Sequence, residues 1–376
     1  MSETMSNPPI YVTKPYLPPL EALLPMLQQI WDTRILSNSG PFHQALERRL
    51  EAFLSVPHVS LANNGMIALE IAIEAAGLRG EVITTPYSFV ATTHAVKRGQ
   101  LEPVFVDIWP DDLNIDPGLI EDAITPRTSA IVAVHCYGNP CAVEEIEEIA
   151  RRRGLTVIYD AAHAFGVTHR GRGLLSWGDY ATLSFHATKA FNTFEGGAIV
   201  ASADPAREAV ERQRNFGIRD EVTIETIGTN AKMSEFNAAV GLLQLDHFEH
   251  VRSARAAVDG RYREALAQIG GLAPLPLPAE TQPNHSYFPL LVGPEFPLSR
   301  DALQQALLAA GIHSRRYFYP LLSSLPMYSN APSAAADRLP VATRAADQIL
   351  CLPIYPDLSE ADQQRIMDAV CRAARG

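Results

Sequence analysis

The middle of the chain alternates short apolar runs with segments whose apolar residues recur at helical spacing. HVSLA (58–62), EVITT (81–85), PVFVDI (103–108), SAIVAVH (129–135) and TVIYD (156–160) are mainly apolar, as strands covered on both faces should be. Between them, MIALEIAIEAAG (66–77), FVATTHAVKRG (89–99), PGLIEDAI (117–124) and AVEEIEEIARRRG (142–154) read as helices, several closed by glycine. This βαβα rhythm predicts a mostly parallel sheet between two layers of helices. Past residue 175 the pattern changes. YATLSFH (180–186) and GAIVAS (197–202) read as two strands joined by the polar segment HATKAFNTFEGG. A long helical pattern starts at Ser234 and leaves the first domain, and the Pro-rich GLAPLPLPAETQP (271–283) marks an exposed connection. HSYFPLLV (strand), RDALQQALLAAGI (helix) and SEADQQRIMDAVCRAAR (final helix) then build a smaller α/β domain. The expected division is a large domain with an N-terminal arm over 1–250 and a small domain over 251–376.

Composition narrows the class. The 376 residues hold 47% hydrophobic and 19% charged positions, ordinary for a globular protein with a large core. Asp plus Glu number 42 against 31 Lys plus Arg, a net charge of -11, and no basic cluster offers a nucleic-acid surface. A local positive pocket for a phosphorylated small substrate is compatible with that balance. The start, MSETMSNPPI, lacks the basic and apolar parts of a signal peptide, and no apolar run is long enough to span a bilayer. Cys136, Cys141, Cys351 and Cys371 form no CxxC set and read as reduced thiols of a cytoplasmic protein with no metal.

Four positions carry candidate chemistry. Asp160 ends an apolar strand and precedes AAHAFG. The carboxyl end of a parallel strand is where open α/β sheets bind ligands, and an acid there can hold a pyridinium nitrogen protonated. Taken alone, Asp160 is a helix cap. Lys189 ends the turn SFHATK, beside Ser184 and Thr188. A partly desolvated lysine suits Schiff-base chemistry. A loop lysine is otherwise a solvated surface group, but Phe185, Ala187 and Phe191 surround this one. Asn63, Asn64 and Gly65 open an apolar helix whose free N–H groups could cradle a phosphate; an ordinary Asn cap gives the same letters. Phe89, after a strand, could stack on a flat ring or pack in the core.

In order along one α/β domain, these features resemble the DegT/StrS family of sugar aminotransferases, fold-type I enzymes that use pyridoxal 5′-phosphate. The resemblance runs from GPFHQALERRLEAFL at Gly40 to the last helix. It is carried by PYSFVATTHAV, PVFVDIWPDDLNIDP, ITPRTSAIVAVHCYGNP, DAAHAFG, SFHATKAFNTFEGGAIV and GTNAKMSEFNAAVGLLQL. It implies that Lys189 binds the cofactor and shuttles protons, and that Asp160 pairs with the pyridine nitrogen. It also implies that His163 lies near the phenolic oxygen, that Phe89 stacks on the ring, and that Gly65, Met66 and Ser184 hold the phosphate. Asn230 matches an asparagine that reaches the phosphate of the neighbouring subunit, which implies a homodimer with shared active sites. The chain departs from the family where Met66 replaces a threonine at the cradle, so one hydroxyl contact is lost and the backbone donors remain.

The same resemblance implies a donor, L-glutamate, and an acceptor, a nucleotide-linked keto-sugar. IYVTKPYLPPL, RNFGIRDE and GTNAKMSE look like enzymes that aminate C4 of a dTDP-4-keto-6-deoxyhexose, here dTDP-4-keto-6-deoxyglucose. His285, Tyr317 and Tyr319 fall where the family builds its sugar and nucleotide pocket; packing within the small domain is the other reading of the two tyrosines. Amination at C3, a cyclitol substrate and a non-catalytic regulator of the same fold are the alternatives. A nicotinamide dehydrogenase would need a GxGxxG after the first strand, which is missing.

Overall fold

The computed structural model describes residues 8–375, so most of the polar start on which the leader reading rests lies outside the described residues. The chain opens with α1 (Leu20–Thr33) and α2 (Pro41–Leu54). It continues through β1 (His58–Ala62), α3 (Gly65–Ala75), β2 (Glu81–Thr84), α4 (Ala91–Arg98), β3 (Glu102–Phe105), α5 (Ile120–Ala123), β4 (Thr128–Val134), α6 (Val143–Arg153) and β5 (Thr156–Asp160). Two short strands, β6 (Thr168–His169) and β7 (Arg172–Gly173), precede β8 (Tyr180–Ser184), β9 (Gly197–Ala201), α7 (Asp204–Arg214) and the long α8 (Glu235–Leu266). The remainder holds β10 (Leu272–Pro274), β11 (Thr281–Gln282), β12 (Phe288–Val292), α9 (Arg300–Ala309), α10 (Pro340–Gln348), β13 (Ile349–Leu352) and α11 (Glu360–Ala373).

Seven strands form the central sheet in the order β1-β9-β8-β5-β4-β2-β3. β9 runs antiparallel to both neighbours and the other pairs are parallel. The five apolar runs are all strands of this sheet, buried because helices cover both faces. α6 shows why its residues form a helix: Val143, Ile146, Ile149 and Ala150 make one buried face, and Glu144 and Glu145 sit at the positive end. Arg151 to Arg153 sit at its negative end, and Gly154 closes it at φ 67. Two readings shrink. PGLIEDAI yields a 3-10 turn and one turn of α5, and the helix expected from Phe89 starts at Ala91. The Pro-rich stretch is not wholly exposed: Leu272 and Leu275 are buried and β10 pairs with β12.

The expected boundary at residue 250 falls inside a single uninterrupted helix. Ala238, Leu242, Leu245 and Phe248 of α8 pack in the large core, and Val258, Tyr262 and Leu266 pack in the small one. The first described residues also depart from the 1–250 division. Ile10 is buried in the small core and exchanges backbone hydrogen bonds with Gly311 and His313. Among the described residues no helix is long and apolar enough to cross a membrane.

Carboxylates tie distant helix ends together. Glu235, 1% exposed at the start of α8, accepts the N–H groups of Phe42 (2.8 Å) and His43 (2.9 Å) in the first turn of α2. That turn has Gly40 at its N-cap and no side-chain cap of its own. Glu235→Ala therefore strands two amides at a positive helix end and is expected to cost about 2–4 kcal/mol of stability. Glu235→Gln keeps one acceptor and loses less. Equilibrium denaturation with urea measures both, and an unshifted midpoint for the alanine variant would show that water replaces the carboxylate.

Candidate active site

The carboxyl ends of β5 and β8 and the amino end of α3 meet at one cavity of about 350 Å³, within the usual range for small-molecule sites. Asp160, His163, Ser184, Lys189, Gly65, Met66, Phe89 and Tyr317 all line it. Eight of the residues singled out in the sequence are thus brought together, from segments far apart in the chain.

Asp160 is the last residue of β5 and is 8% exposed. Its Oδ2 accepts the hydroxyl of Thr92 at 2.7 Å and its Oδ1 accepts the N–H of Ala162 at 3.2 Å. Thr92 in turn shares a hydrogen bond with Ser88 at 2.8 Å. Burial pushes the Asp160 carboxyl above its ordinary pKa, and the Thr92 and Ala162 hydrogen bonds oppose that shift ahead of the Lys189 charge.

Lys189 follows β8 in a turn whose N–H donates to the His186 carbonyl at 2.9 Å. The turn is seated on a cluster of rings: Phe165 stacks on Phe191 at 4.0 Å, and Phe185 meets Phe191 edge-on at 4.9 Å. Asn237 of α8 donates to the carbonyls of Thr193 (2.6 Å) and Glu195 (3.1 Å), which fixes the segment's far end. Burial lowers the Lys189 pKa from 10.5 to about 8, only partly opposed by Asp160. Among the described residues the two form no ion pair within 4 Å, although each feels the other's charge. Both line the same cavity.

His163 is buried, and its Nδ1 accepts the N–H of Tyr137 at 3.2 Å. That bond leaves the proton on Nε2. Burial and the Lys189 charge hold the ring's pKa well below its ordinary value, so it is a neutral donor. Opposite, α3 begins at Gly65, where a Cβ would stand 2.7 Å from the Cβ of Ser184. The Asn64 side chain caps the Ile67 N–H at 2.9 Å. The N–H groups of Gly65 and Met66, in the first turn, have no acceptor among the described residues, and both residues line the cavity with Ser184.

Three predicted residues lie elsewhere. His285 does not line the cavity: it sits in a turn at φ 50, with Nδ1 3.5 Å from Asp259 of α8. Tyr319 is on a neighbouring groove, 43% exposed, with Arg300 and Arg316 each 4.8 Å from its ring. Asn230 is exposed and off the cavity, with its carbonyl accepting the side-chain amide of Asn63 at 3.4 Å. The residue that sequence reasoning missed is Tyr287, whose hydroxyl is 3.4 Å from Lys189 Nζ. Its segment is stitched behind Asp160: Asn284 donates to the carbonyls of His163 (2.8 Å) and Phe165 (2.9 Å), and Ser286 to that of His163 (3.2 Å). Arg255 of α8 backs the same turn, donating to the carbonyls of His285, Ser286 and Ile354 at 3.4, 3.3 and 3.1 Å. The only local signal for Tyr287 was its place at the start of HSYFPLLV, two residues from the histidine chosen instead.

A mostly parallel sheet with one antiparallel strand, and a lysine and a strand-end carboxylate on one cavity, define a fold-type I transferase. The chain belongs to the DegT/DnrJ/EryC1/StrS aminotransferase family, which it matches over residues 21–371. It is 50% identical over 357 residues to the dTDP-4-amino-4,6-dideoxy-D-glucose transaminase of Escherichia coli, covering 95% of this chain and 96% of that one. It is 34% identical over 336 residues to the dTDP-3-amino-3,4,6-trideoxy-alpha-D-glucose transaminase of Streptomyces venezuelae, covering 88% and 86%. The crystal structure of DesI in the presence of its TDP-sugar product superposes with a TM-score of 0.94 at 37% identity, covering 98% of this chain and 94% of that one.

Proposed function

We propose that the protein is a pyridoxal-5′-phosphate-dependent aminotransferase that moves the amino group of L-glutamate to C4 of dTDP-4-keto-6-deoxyglucose. The observation that carries the chemistry is the single cavity shared by Asp160, Lys189, His163 and the amino end of α3. The identity of 50% with the E. coli 4-amino-sugar transaminase favours C4 over C3.

The cavity fits the cofactor by its donor set. A cradle that a Cβ at Gly65 would fill offers two backbone donors and the Ser184 hydroxyl to a phosphate. In this reading the buried Asp160 carboxylate serves the ring nitrogen, the neutral His163 N–H the phenolic oxygen and Lys189 the aldehyde, and their common cavity supports it. The cofactor, when bound, supplies an electron sink for breaking the C–H bond of the substrate amine. The protein's part is to hold and move protons. Thr92 and the Ala162 amide orient the Asp160 carboxylate. Lys189, with a pKa of about 8, is near the balance between amine and ammonium at neutral pH, so Nζ can both take a proton and return it. Tyr287, which burial keeps protonated, gives Nζ a hydroxyl contact at 3.4 Å. Phe89, 58% exposed, lines the same cavity, and in this reading it covers one ring face.

A homodimer completes the reading. Leu20, Leu24 and Trp31 of α1 and Val222, Ile224 and Ile227 of the 215–230 excursion are exposed apolar side chains, more than an isolated surface ordinarily carries. Asn230 closes that excursion, so a partner covering these residues would bring it toward the second cavity. The bacterial cytoplasm, where the nucleotide sugar is available, is the compartment that suits this reaction.

The test is 2-oxoglutarate release from L-glutamate with a panel of nucleotide keto-sugars. Turnover is expected with dTDP-4-keto-6-deoxyglucose. Turnover of a 3-keto-sugar with none of the 4-keto-sugars would sink the C4 assignment, and no turnover of any would favour a non-catalytic regulator.

A further inference from the structure

We propose that Arg255, sealed in the middle of α8, is a positioning residue for the amino transfer: it fixes the 284–287 turn so that the Tyr287 hydroxyl meets Lys189 Nζ. This rests on the aminotransferase reading given above and adds to it a residue that does not line the cavity. Arg255 is 2% exposed and lies between Phe248 of the large core and Val258 of the small one.

The residue is an anomaly of charge. Arginine is almost never fully buried without a carboxylate partner. Arg255 takes part in no ion pair among the described residues, and the acid one turn further along α8, Asp259, is engaged by Arg263 at 2.6 Å and by His285 at 3.5 Å. The Arg255 Nε has no hydrogen-bond partner among the described residues. Its Nη1 donates to three carbonyls, those of His285 (3.4 Å), Ser286 (3.3 Å) and Ile354 (3.1 Å). These dipoles offset only part of the cost of burying the charge. Burial lowers the pKa from 12.5 to about 10, which still leaves the group charged at neutral pH. An apolar side chain of similar length would fill the space without that cost, so the cost points to a task.

The carbonyls identify the task. Two belong to the turn that enters β12, and the third to the segment that follows β13. On its other side the turn is bonded to the large domain, with Asn284 donating to the carbonyls of His163 and Phe165 and Ser286 to that of His163. The turn is thus clamped between α8 and the residues after β5, and Tyr287 ends it. The Tyr287 ring meets His163 edge-on at 4.8 Å and Tyr317 at 5.5 Å, and its hydroxyl stands 3.4 Å from Lys189 Nζ. That is the long end of the hydrogen-bond range, so a small shift of the turn makes or breaks the contact. Lys189 alternates between ammonium and amine in the amino transfer. A phenol accepts from the first and donates to the second, so one hydroxyl can hold Nζ in place through both states. Burial and the neighbouring cysteines hold the Tyr287 pKa above its ordinary value, and the Arg255 charge is near enough to oppose them.

A double-mutant cycle on the cofactor-free protein tests the link. The readout is the rate at which formaldehyde and cyanoborohydride methylate Lys189 Nζ at about pH 9.5, followed by peptide mass. There an amine of pKa about 8 is nearly all free base, and a donated hydroxyl ties up its lone pair. Tyr287→Phe should raise the rate about threefold, the worth of one hydrogen bond, and Arg255→Met by a similar factor. The double variant should go no further than either single one, because both remove the same contact. An arginine that merely supports the fold would add its own factor to that of Tyr287→Phe. In turnover, each single variant should lose about tenfold in kcat with KM changed by less than about twofold. If Arg255→Met does not fold, Arg255→Lys takes its place in the cycle. Its compact ammonium reaches fewer of the three carbonyls, so its labelling rate should lie between those of wild type and Tyr287→Phe. A wild-type rate in the arginine variant, or a double variant whose factor is the product of the two, overturns the proposal while the aminotransferase reading stands, because the labelling needs neither cofactor nor substrate. Wild type that labels as expected and turns over no keto-sugar overturns the functional reading, and with it the task given to the contact.

Discussion

Lys189→Met is expected to abolish transamination, with a fall of at least about 10³-fold, while making the cofactor-free protein more stable at neutral pH. Both effects have one cause. An amine attacks an aldehyde only in its unprotonated form. With a pKa of about 8, Lys189 is about one quarter free base at pH 7.5, whereas an amine of pKa 10.5 is about one thousandth. Burial makes the residue reactive, and the same burial disfavours its charge in the fold. The unfolded lysine, at 10.5, holds a proton that the folded one has released between pH 8 and 10.5. Stability from this group therefore rises with pH across that window, and its full penalty is present below pH 8. Methionine has a similar shape and no charge, so it removes up to about 3 kcal/mol of penalty. Part of that gain is returned because Asp160 loses the nearby positive charge that favours its ionised form. Denaturation of cofactor-free wild type and variant at pH 7, 8.5 and 10 reads the slope. The variant's loaded form should also lack the violet-blue absorption of lysine-bound cofactor. A variant with unaltered turnover would remove Lys189 from the chemistry, and parallel stability curves would remove the buried ammonium.

How much of this was legible in the sequence depends on the range of the interactions involved. Asp160, Gly65 and Ser184 could be placed because strand ends in parallel sheets converge on one edge, and the apolar runs located those ends. Lys189 could be placed because aromatic neighbours within its own segment, Phe185 and Phe191, anchor the turn. Tyr287 could not. Its position depends on Asn284 and Ser286 bonding to carbonyls over a hundred residues earlier, and on Arg255 from the middle of α8. His285, two residues earlier, was singled out by the family resemblance, and nothing local in HSYFPLLV points to Tyr287 instead. His285 sits at a positive φ with Nδ1 3.5 Å from Asp259, and Tyr287, two residues on, lines the cavity. Thr92 was hidden for the same reason. Nothing in FVATTHAV says that one hydroxyl will meet a carboxylate from β5. The ends of α2 and α10 follow suit: Glu235 caps the first, and Asp107 caps the second by accepting the N–H groups of Val341 (2.9 Å) and Ala342 (2.8 Å). Local pattern predicts elements, and carboxylates from far away decide how they are joined.

Asp160→Asn should fold, bind the cofactor more weakly and transfer the amino group about 10- to 100-fold more slowly. The fold survives because the hydrogen-bond chain behind the residue can reverse. In wild type Thr92 donates to Oδ2 and shares its other contact with Ser88, and the Ala162 amide donates to Oδ1. With asparagine the amide oxygen still accepts from Ala162. The new NH₂ donates to Thr92, and the Thr92 hydroxyl turns to donate to Ser88. No buried group is orphaned, so the variant isolates charge from packing. What is lost is the anion that holds a proton on the ring nitrogen, and with it the electron-withdrawing power of the bound ring. The cofactor-free variant carries the opposite signature. Burial raises the Asp160 pKa above 3.8, so the folded protein holds a proton that the unfolded chain has already lost. Wild-type stability from this group falls as pH rises from 3.8 through the raised value and stays reduced above it. The asparagine variant lacks that fall and should melt higher than wild type at pH 7, with the gap closing toward pH 4. Thermal scans at the two pH values, with cofactor affinity measured alongside, separate the outcomes. Full activity in Asp160→Asn would mean that the ring nitrogen needs no anion here. A lower melting temperature would mean that the buried carboxylate serves the fold before it serves the reaction.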